Sequence, residues 1–197
     1  APAAPDAPIQ SFLAVEPFEV RHEVMLRLAG LSEELGPETP PTIGIEAPPA
    51  VAERLAALVL DRSTVRADGA PLEGLLRRAD FMTVGPTGAL PRARPVPEPL
   101  GEAVVGVVVA YPTEGMPRAV SMRWEPFPDA VETIPAPVID PEAVASLTLS
   151  AGEPSLAWEN TLMEDPIPSV EAVEVEAVMM PLPLLSLPLI ALAVVVS

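Results

Sequence analysis

The sequence contains no cysteine and no lysine, and its only histidine is His22. Without thiols there is no disulfide, iron–sulfur cluster, thiolate metal site or cysteine nucleophile. One histidine cannot assemble a His-rich metal site, and any Ser–His–Asp relay would have to run through His22. Gln10 and Asn160 are the sole side-chain amides, and every basic residue is an arginine. That usage reads as the codon bias of a GC-rich bacterial genome. Aromatic residues make up 4% of the 197, so the core must be built from Val, Leu, Ala and Met. Positive charge is scarce and confined. All 11 arginines fall between Arg21 and Arg123, and the formal net charge is −17. Nucleic acid needs a basic footprint that this chain lacks, and so does docking on anionic lipid through a basic patch.

Long helices are excluded over most of the chain. There are 28 prolines, and a proline inside a helix costs about 3 kcal/mol. Proline is tolerated in turns, at strand edges and in extended segments. The pattern that remains is mainly β. Phe18, Val20, His22, Val24, Leu26 and Leu28 share one parity, and Glu19, Arg21, Glu23 and Arg27 the other. Period 2 with charge on one side predicts a half-buried antiparallel strand after Pro17. A helical stripe through Val20, Val24, Leu28, Leu31 and Leu35 also fits, less well, because β-branched and aromatic residues open the segment. Residues 36–50 read as a Pro-rich loop. Residues 51–60 are the best helix, with Val51, Leu55, Leu58 and Val59 on one face.

Further strands are expected at Ser63–Ala67, from Phe81 to Val84, at Glu102–Tyr111, Arg118–Glu125, Leu147–Leu149 and around Trp158. Asp68-Gly69 is a turn signal. The spacing predicts an antiparallel β-sandwich of about seven strands, Ig-like only by analogy, with one short helix and Pro-rich extended arms. No motif is specific enough to carry a family name. The domain plan is a Pro-rich N-terminal arm (1–11), a β-rich extracytoplasmic domain (12–158), an acidic connector (159–177) and a C-terminal transmembrane helix (178–197). The SVEAVEVE stretch of the connector reads either as an extended strand or as a solvated linker.

The last segment, VMMPLPLLSLPLIALAVVVS, carries no charge and just reaches the roughly 20 residues that a bilayer core of about 30 Å requires. Leu184, Leu185, Leu187, Leu189, Ile190, Leu192, Val194 and Val195 would face lipid. No basic residue precedes it after Arg123, so the main domain is expected on the periplasmic side of a bacterial inner membrane, single-pass. The Ala-Pro start is expected to be a mature terminus left after export.

Candidate chemistry is thin. His22 sits on the apolar parity and reads as a core histidine. Glu33-Glu34, Glu164-Asp165 and Asp140 with Glu142 offer oxygen to a hard cation, but none has EF-hand spacing, and solvated surface charge is the expectation. Gly85-Pro86-Thr87-Gly88 lacks the GK[ST] ending of a phosphate loop, and no GxSxG elbow occurs. Neither cofactor nor enzymatic activity is expected. Partner-contact candidates are the arginine pairs Arg77-Arg78 and Arg92/Arg94, which suit acidic groups, and Trp124 and Trp158, which also read as core packing. The function expected by exclusion is a non-catalytic accessory subunit of a membrane complex. It would clamp other membrane-protein subunits on the non-cytoplasmic face of a photosynthetic or respiratory assembly. The alternative is a sensory or ligand-binding ectodomain of a longer membrane protein.

Overall fold

The computed structural model describes residues 7–161, apart from 86, 87, 126 and 142. The first six residues, the connector beyond Thr161 and the uncharged segment 178–197 with its named Leu, Ile and Val side chains lie outside the described residues. Among the described residues no helix is long and apolar enough to cross a membrane.

The chain is mainly β, as the Pro content and the alternation require. It opens with a hairpin, β1 (Ile9–Glu16) and β2 (Glu19–Arg27), in which Glu16 pairs with Glu19 across a two-residue turn. A 3-10 turn (Leu28–Leu31), the one-turn helix α1 (Ser32–Leu35) and the longer helix α2 (Pro48–Arg62) follow. Then come β3 (Ser63–Ala67), β4 (Leu75–Gly85), β5 (Val104–Pro112), β6 (Ala119–Trp124) and β7 (Ser155–Glu159), with several two- to four-residue strands between them. One sheet has seven strands, ordered Val144–Ala145, Val138–Ile139, β1, β2, β5, β4, Gly88–Pro91. The other has four, ordered β7, β6, β3, Ala70–Pro71.

Register explains the burial. Across the large sheet Leu13, His22 and Val109 align, as do Ser11, Val24 and Val107. These side chains share the inner face and are buried together with Ile9, Val15, Val20, Leu26, Val105 and Tyr111. The small sheet adds Val65, Val120, Met122 and Trp124 to the same core, and α2 adds Ala52, Leu55, Ala56 and Val59 at helical spacing. Gly74 is needed where the chain enters β4, because a Cβ there would sit 2.9 Å from the Tyr111 ring and 3.0 Å from Val109 and Leu60. Helix α1 is clamped to the end of α2 by the Arg62–Glu34 pair, with bonds of 2.9 and 2.6 Å, and Arg54 donates to the Leu35 carbonyl at 2.7 Å.

Several expectations need correction. The N-terminal arm is shorter than residues 1–11, because Ile9, Gln10 and Ser11 already belong to β1. Helix α2 starts at Pro48, since proline is acceptable in a first helical turn, and it presents Ala52 and Ala56 rather than Val51 and Leu58 as its fully buried face. The sheet is not purely antiparallel: β1 pairs in parallel with Val138–Ile139. Strand β4 begins six residues before Phe81. A bulge between Leu76 and Arg78 breaks the alternation there, so a period of two does not reveal it. Phe18, expected on the buried parity, instead occupies the hairpin turn and is 66% exposed.

The turn is costly. Pro17 fixes a negative φ at the first corner, and Phe18 takes φ 71° at the second. That pattern asks for Gly or Asn at Phe18, and a bulky side chain there stores about 1–2 kcal/mol. The conformation is held by the following loop: Phe18 N–H donates to the Gly115 carbonyl at 3.3 Å and Thr113 N–H to the Phe18 carbonyl at 2.9 Å. Replacing Phe18 by Asn should therefore hold or raise the stability of the full chain, by up to about 1 kcal/mol. Phe18→Val should lower it by a similar amount, since β-branched residues tolerate positive φ least. Urea midpoints of the three proteins decide it, and a clear loss with Asn would show that the ring itself is structural.

Candidate functional site

Each sequence-predicted residue has a definite place. Trp124 is fully buried at the end of β6, so it is core and presents nothing to a partner. Trp158, half-buried on β7, donates from Nε1 to Asp140 Oδ2 at 3.0 Å and thereby ties the edge of the small sheet to the loop after Val138–Ile139. Asp140 also accepts from Ala143 N–H at 2.8 Å, which identifies it as a turn residue. Arg77 and Arg78 lie on β4, where no strand pairs with the far side of Leu75–Phe81 among the described residues. Arg77 is 3.8 Å from Glu19 and Arg78 3.4 Å from Asp80, both pairs exposed and weak. Glu34 of the Glu33-Glu34 pair is occupied by Arg62. Among the described residues no group of His, Asp and Glu is arranged to hold a metal ion.

Arg92 and Arg94 are brought together with groups the sequence did not connect. After the Gly88–Pro91 strand the chain turns back over β4, and Arg92 N–H donates to the Phe81 carbonyl at 2.8 Å. The Arg92 side chain then reaches Glu98 at 2.6 Å, each side chain only 15% exposed, and its guanidinium stands 5.9 Å from the Phe81 ring centroid. This ion pair pins the two ends of the Pro-rich segment 92–98 together, so Arg92 holds the site and is not itself free to bind. Arg94, between them in sequence, is exposed and has no ion pair among the described residues. It borders a groove of 270 Å³ with Ile45, Pro48, Phe81 and Val96, whose lining also includes Arg92 and Asp80, the latter 3.4 Å from Arg78.

Two features of that groove point the same way. Ile45 and Val96 are 52% and 50% exposed, a large apolar presentation for residues that flank a cation. Helix α2 begins here with no side-chain cap and no acid in its first turn. Pro48 and Pro49 supply no N–H, so the helix offers a positive field more than donors. The arrangement can hold an acidic group whose neighbour is apolar. Sequence reasoning found the two arginines but not Ile45, Pro48 or Phe81, because their proximity is set by the return of the chain over β4.

Like Tyr111, whose hydroxyl is pushed above its ordinary pKa by burial, His22 is sealed in the core. Its Nε2 shares a 2.8 Å hydrogen bond with Ser11 Oγ, and its ring meets Trp124 edge to face at 6.1 Å. Nδ1 has no partner among the described residues. Loss of water lowers its pKa from 6.5 to about 4. At neutral pH it is a neutral packing group, closed to any substrate.

That shift fixes a pH dependence. Above pH 6.5 both folded and unfolded states leave the ring neutral. Between 6.5 and about 4 the unfolded chain takes up a proton that the folded chain refuses, so stability falls as pH falls, and it levels off below. From pH 7 to pH 5 the wild type should lose about 2 kcal/mol more than His22→Gln, which keeps a partner for Ser11 but does not titrate. Equal losses in the two proteins, read from urea unfolding, would show that the ring is protonated in the fold. No protein-family model matches this chain, and neither does any curated protein.

Proposed function

We propose that this chain is a non-catalytic accessory subunit of a bacterial membrane complex: a β-sandwich domain on the periplasmic side, held by residues 178–197, that docks an acidic, partly apolar segment of a neighbouring subunit in the Arg94 groove. The observation that carries the docking is Arg94, without an ion pair among the described residues, between exposed Ile45 and Val96, in a chain where cations are few. An arginine that makes no ion pair among the described residues is available to an outside carboxylate. The groove is braced by the Arg92–Glu98 pair and by α2, so binding would cost little ordering. Membrane attachment is supported by the uncharged run of the last 20 residues, which follows an acidic stretch without bases. The sandwich reading is supported by two sheets that share one core. A role without catalysis is supported by the sealed position of His22.

The test is purification of the tagged chain from its own membranes in mild detergent. The wild type should co-migrate with defined subunits. The double variant Arg94→Glu, Val96→Asp should lose them while its unfolding midpoint stays within about 0.5 kcal/mol, because both side chains are exposed. A wild-type chain that runs alone as a monomer would end the proposal. A chain that stays in the soluble fraction with residues 178–197 intact would end the anchoring part of it.

A further inference from the structure

The end of the domain opposite the Arg94 groove carries a second feature. The groove lies near the Ile9–Leu26 end of the large sheet, since Phe81 aligns with Val105, and Val105 with Leu26. The Pro17-Phe18 turn marks the other end. Around it, by register and hydrogen bonding, stand the Thr113–Pro117 loop, the Asp68-Gly69 turn and the start of β4. Asp68 Oδ1 accepts from the Arg118 and Ala119 N–H groups, at 2.9 Å each, which ties the last two loops together. A hollow of 530 Å³ opens there, lined by Ala67, Leu72, Pro112, Met116 and Pro117 among others. Leu75, at this same end, is 41% exposed. The described chain also leaves here: Asn160 N–H donates to the Arg118 carbonyl at 2.7 Å, one residue before Thr161.

Three observations thus coincide. A phenyl ring is two-thirds exposed. The backbone beneath it is held at positive φ by two hydrogen bonds from a neighbouring loop. The last described residues, Asn160 and Thr161, lie at the same end of the domain. We infer that the Pro17-Phe18 tip is a lipid-contacting element that enters the boundary between headgroups and acyl chains of a neutral bilayer and orients the domain on it. The inference rests on the membrane attachment proposed above. The surroundings select the lipid: Glu16, Glu19, Glu114 and Asp68 stand at this end with Arg21, Arg66, Arg77 and Arg118, so the charges balance and no net basic patch draws the tip to anionic headgroups.

Magnitude explains why the tether matters. Burying one phenylalanine favours the inserted state by only about thirty-fold, too little for a free domain to bind vesicles. Residues 162–177 span about 55 Å at full extension. Tethering through such a stretch brings the tip to millimolar effective concentration at a bilayer surface, where thirty-fold decides the orientation.

The absence of cysteine makes the test clean, because a single introduced thiol is labelled alone. The full chain with Glu114→Cys carries an environment-sensitive nitrobenzoxadiazole label beside the tip and is reconstituted in phosphatidylcholine vesicles. Expected are a blue-shifted emission and quenching by lipid bearing a nitroxide high on the acyl chain. Adding Phe18→Ser should reduce the quenched fraction about tenfold, and a label at Val96→Cys should show neither effect. Vesicles with one-third phosphatidylglycerol should not strengthen the signal, and a strong gain there would show recognition of anionic headgroups and overturn the choice of a neutral surface. If the chain floats with the vesicles but the Glu114→Cys label stays aqueous, the tip does not touch lipid and attachment stands. If the chain does not float, attachment fails and this inference fails with it. A shift that needs added membrane protein, and is missing from pure lipid, makes the tip a protein contact and overturns the inference.

Discussion

The fold depends on the contact between the two sheets at Trp124 and His22. A chain without disulfides and with few aromatic residues must close its core by packing alone. It places its largest buried side chain at the end of β6, edge-on to the only histidine, which is anchored in turn to Ser11 of β1. Around that pair, apart from Tyr111 and Phe81, the core is Val, Leu, Ile, Ala and Met, similar in chemistry and placed mainly by register and by the spacing of α2. The polar pair is costly to bury, and an unpaired nitrogen in the core costs about 1–3 kcal/mol. It also constrains: a one-residue slip of β2 would turn His22 to solvent and Arg21 into the core. The same side chain that makes the interior vulnerable to acid therefore helps to specify the alignment of β1, β2 and β5.

That alignment sorts the surface into ends with different characters. The Ile9–Leu26 end gathers the braced proline segment and the free arginine beside the start of α2. The Phe18 end gathers the strained turn, the apolar hollow and the exit of the described chain. Attachment at one end and docking at the other are what the proposed accessory role would ask of this domain. The polarity follows from strand order, since hairpin β1–β2 sends its turn to one end while the β4 return sends Arg92 and Arg94 to the other.

The mainly β character, the α2 helix and β5 were legible in the sequence, because continuous Val and the apolar stripe after paired prolines are local signals. The Asp68-Gly69 turn was legible too, and both residues have positive φ. What escaped shares a cause. The bulge at Arg77 inverts parity within β4, so neighbouring leucines and arginines look like noise. Phe18 continues a perfect alternation, and nothing in the pattern shows that the strand begins one residue later. The groove was half visible: its arginines stand out by charge, whereas Ile45 and Phe81 join them only through tertiary return. The parallel pairing of Val138–Ile139 with β1 is likewise a long-range event with no local trace.

The bulged edge of β4 bears on where the proposed docking falls. An open strand edge with Leu75 and Leu76 exposed invites pairing with another chain. Two antiparallel copies of Leu75–Asp80 aligned about its centre would set Arg77 against Arg78, a like-charge opposition that destabilises the pair. The bulge also interrupts the row of backbone donors and acceptors that a partner strand would need. The edge is thus made unattractive by the very arginines that, in sequence, looked like a partner site. Their weak ion pairs with Glu19 and Asp80 leave them exposed without committing them to a ligand. Arg94 differs because it stands over a largely apolar groove and makes no ion pair among the described residues. Two arginine pairs of similar appearance therefore act oppositely, one repelling strand addition and the other open to recognition. The backbone around each decides which: a bulged open edge in the first case, a braced proline turn in the second.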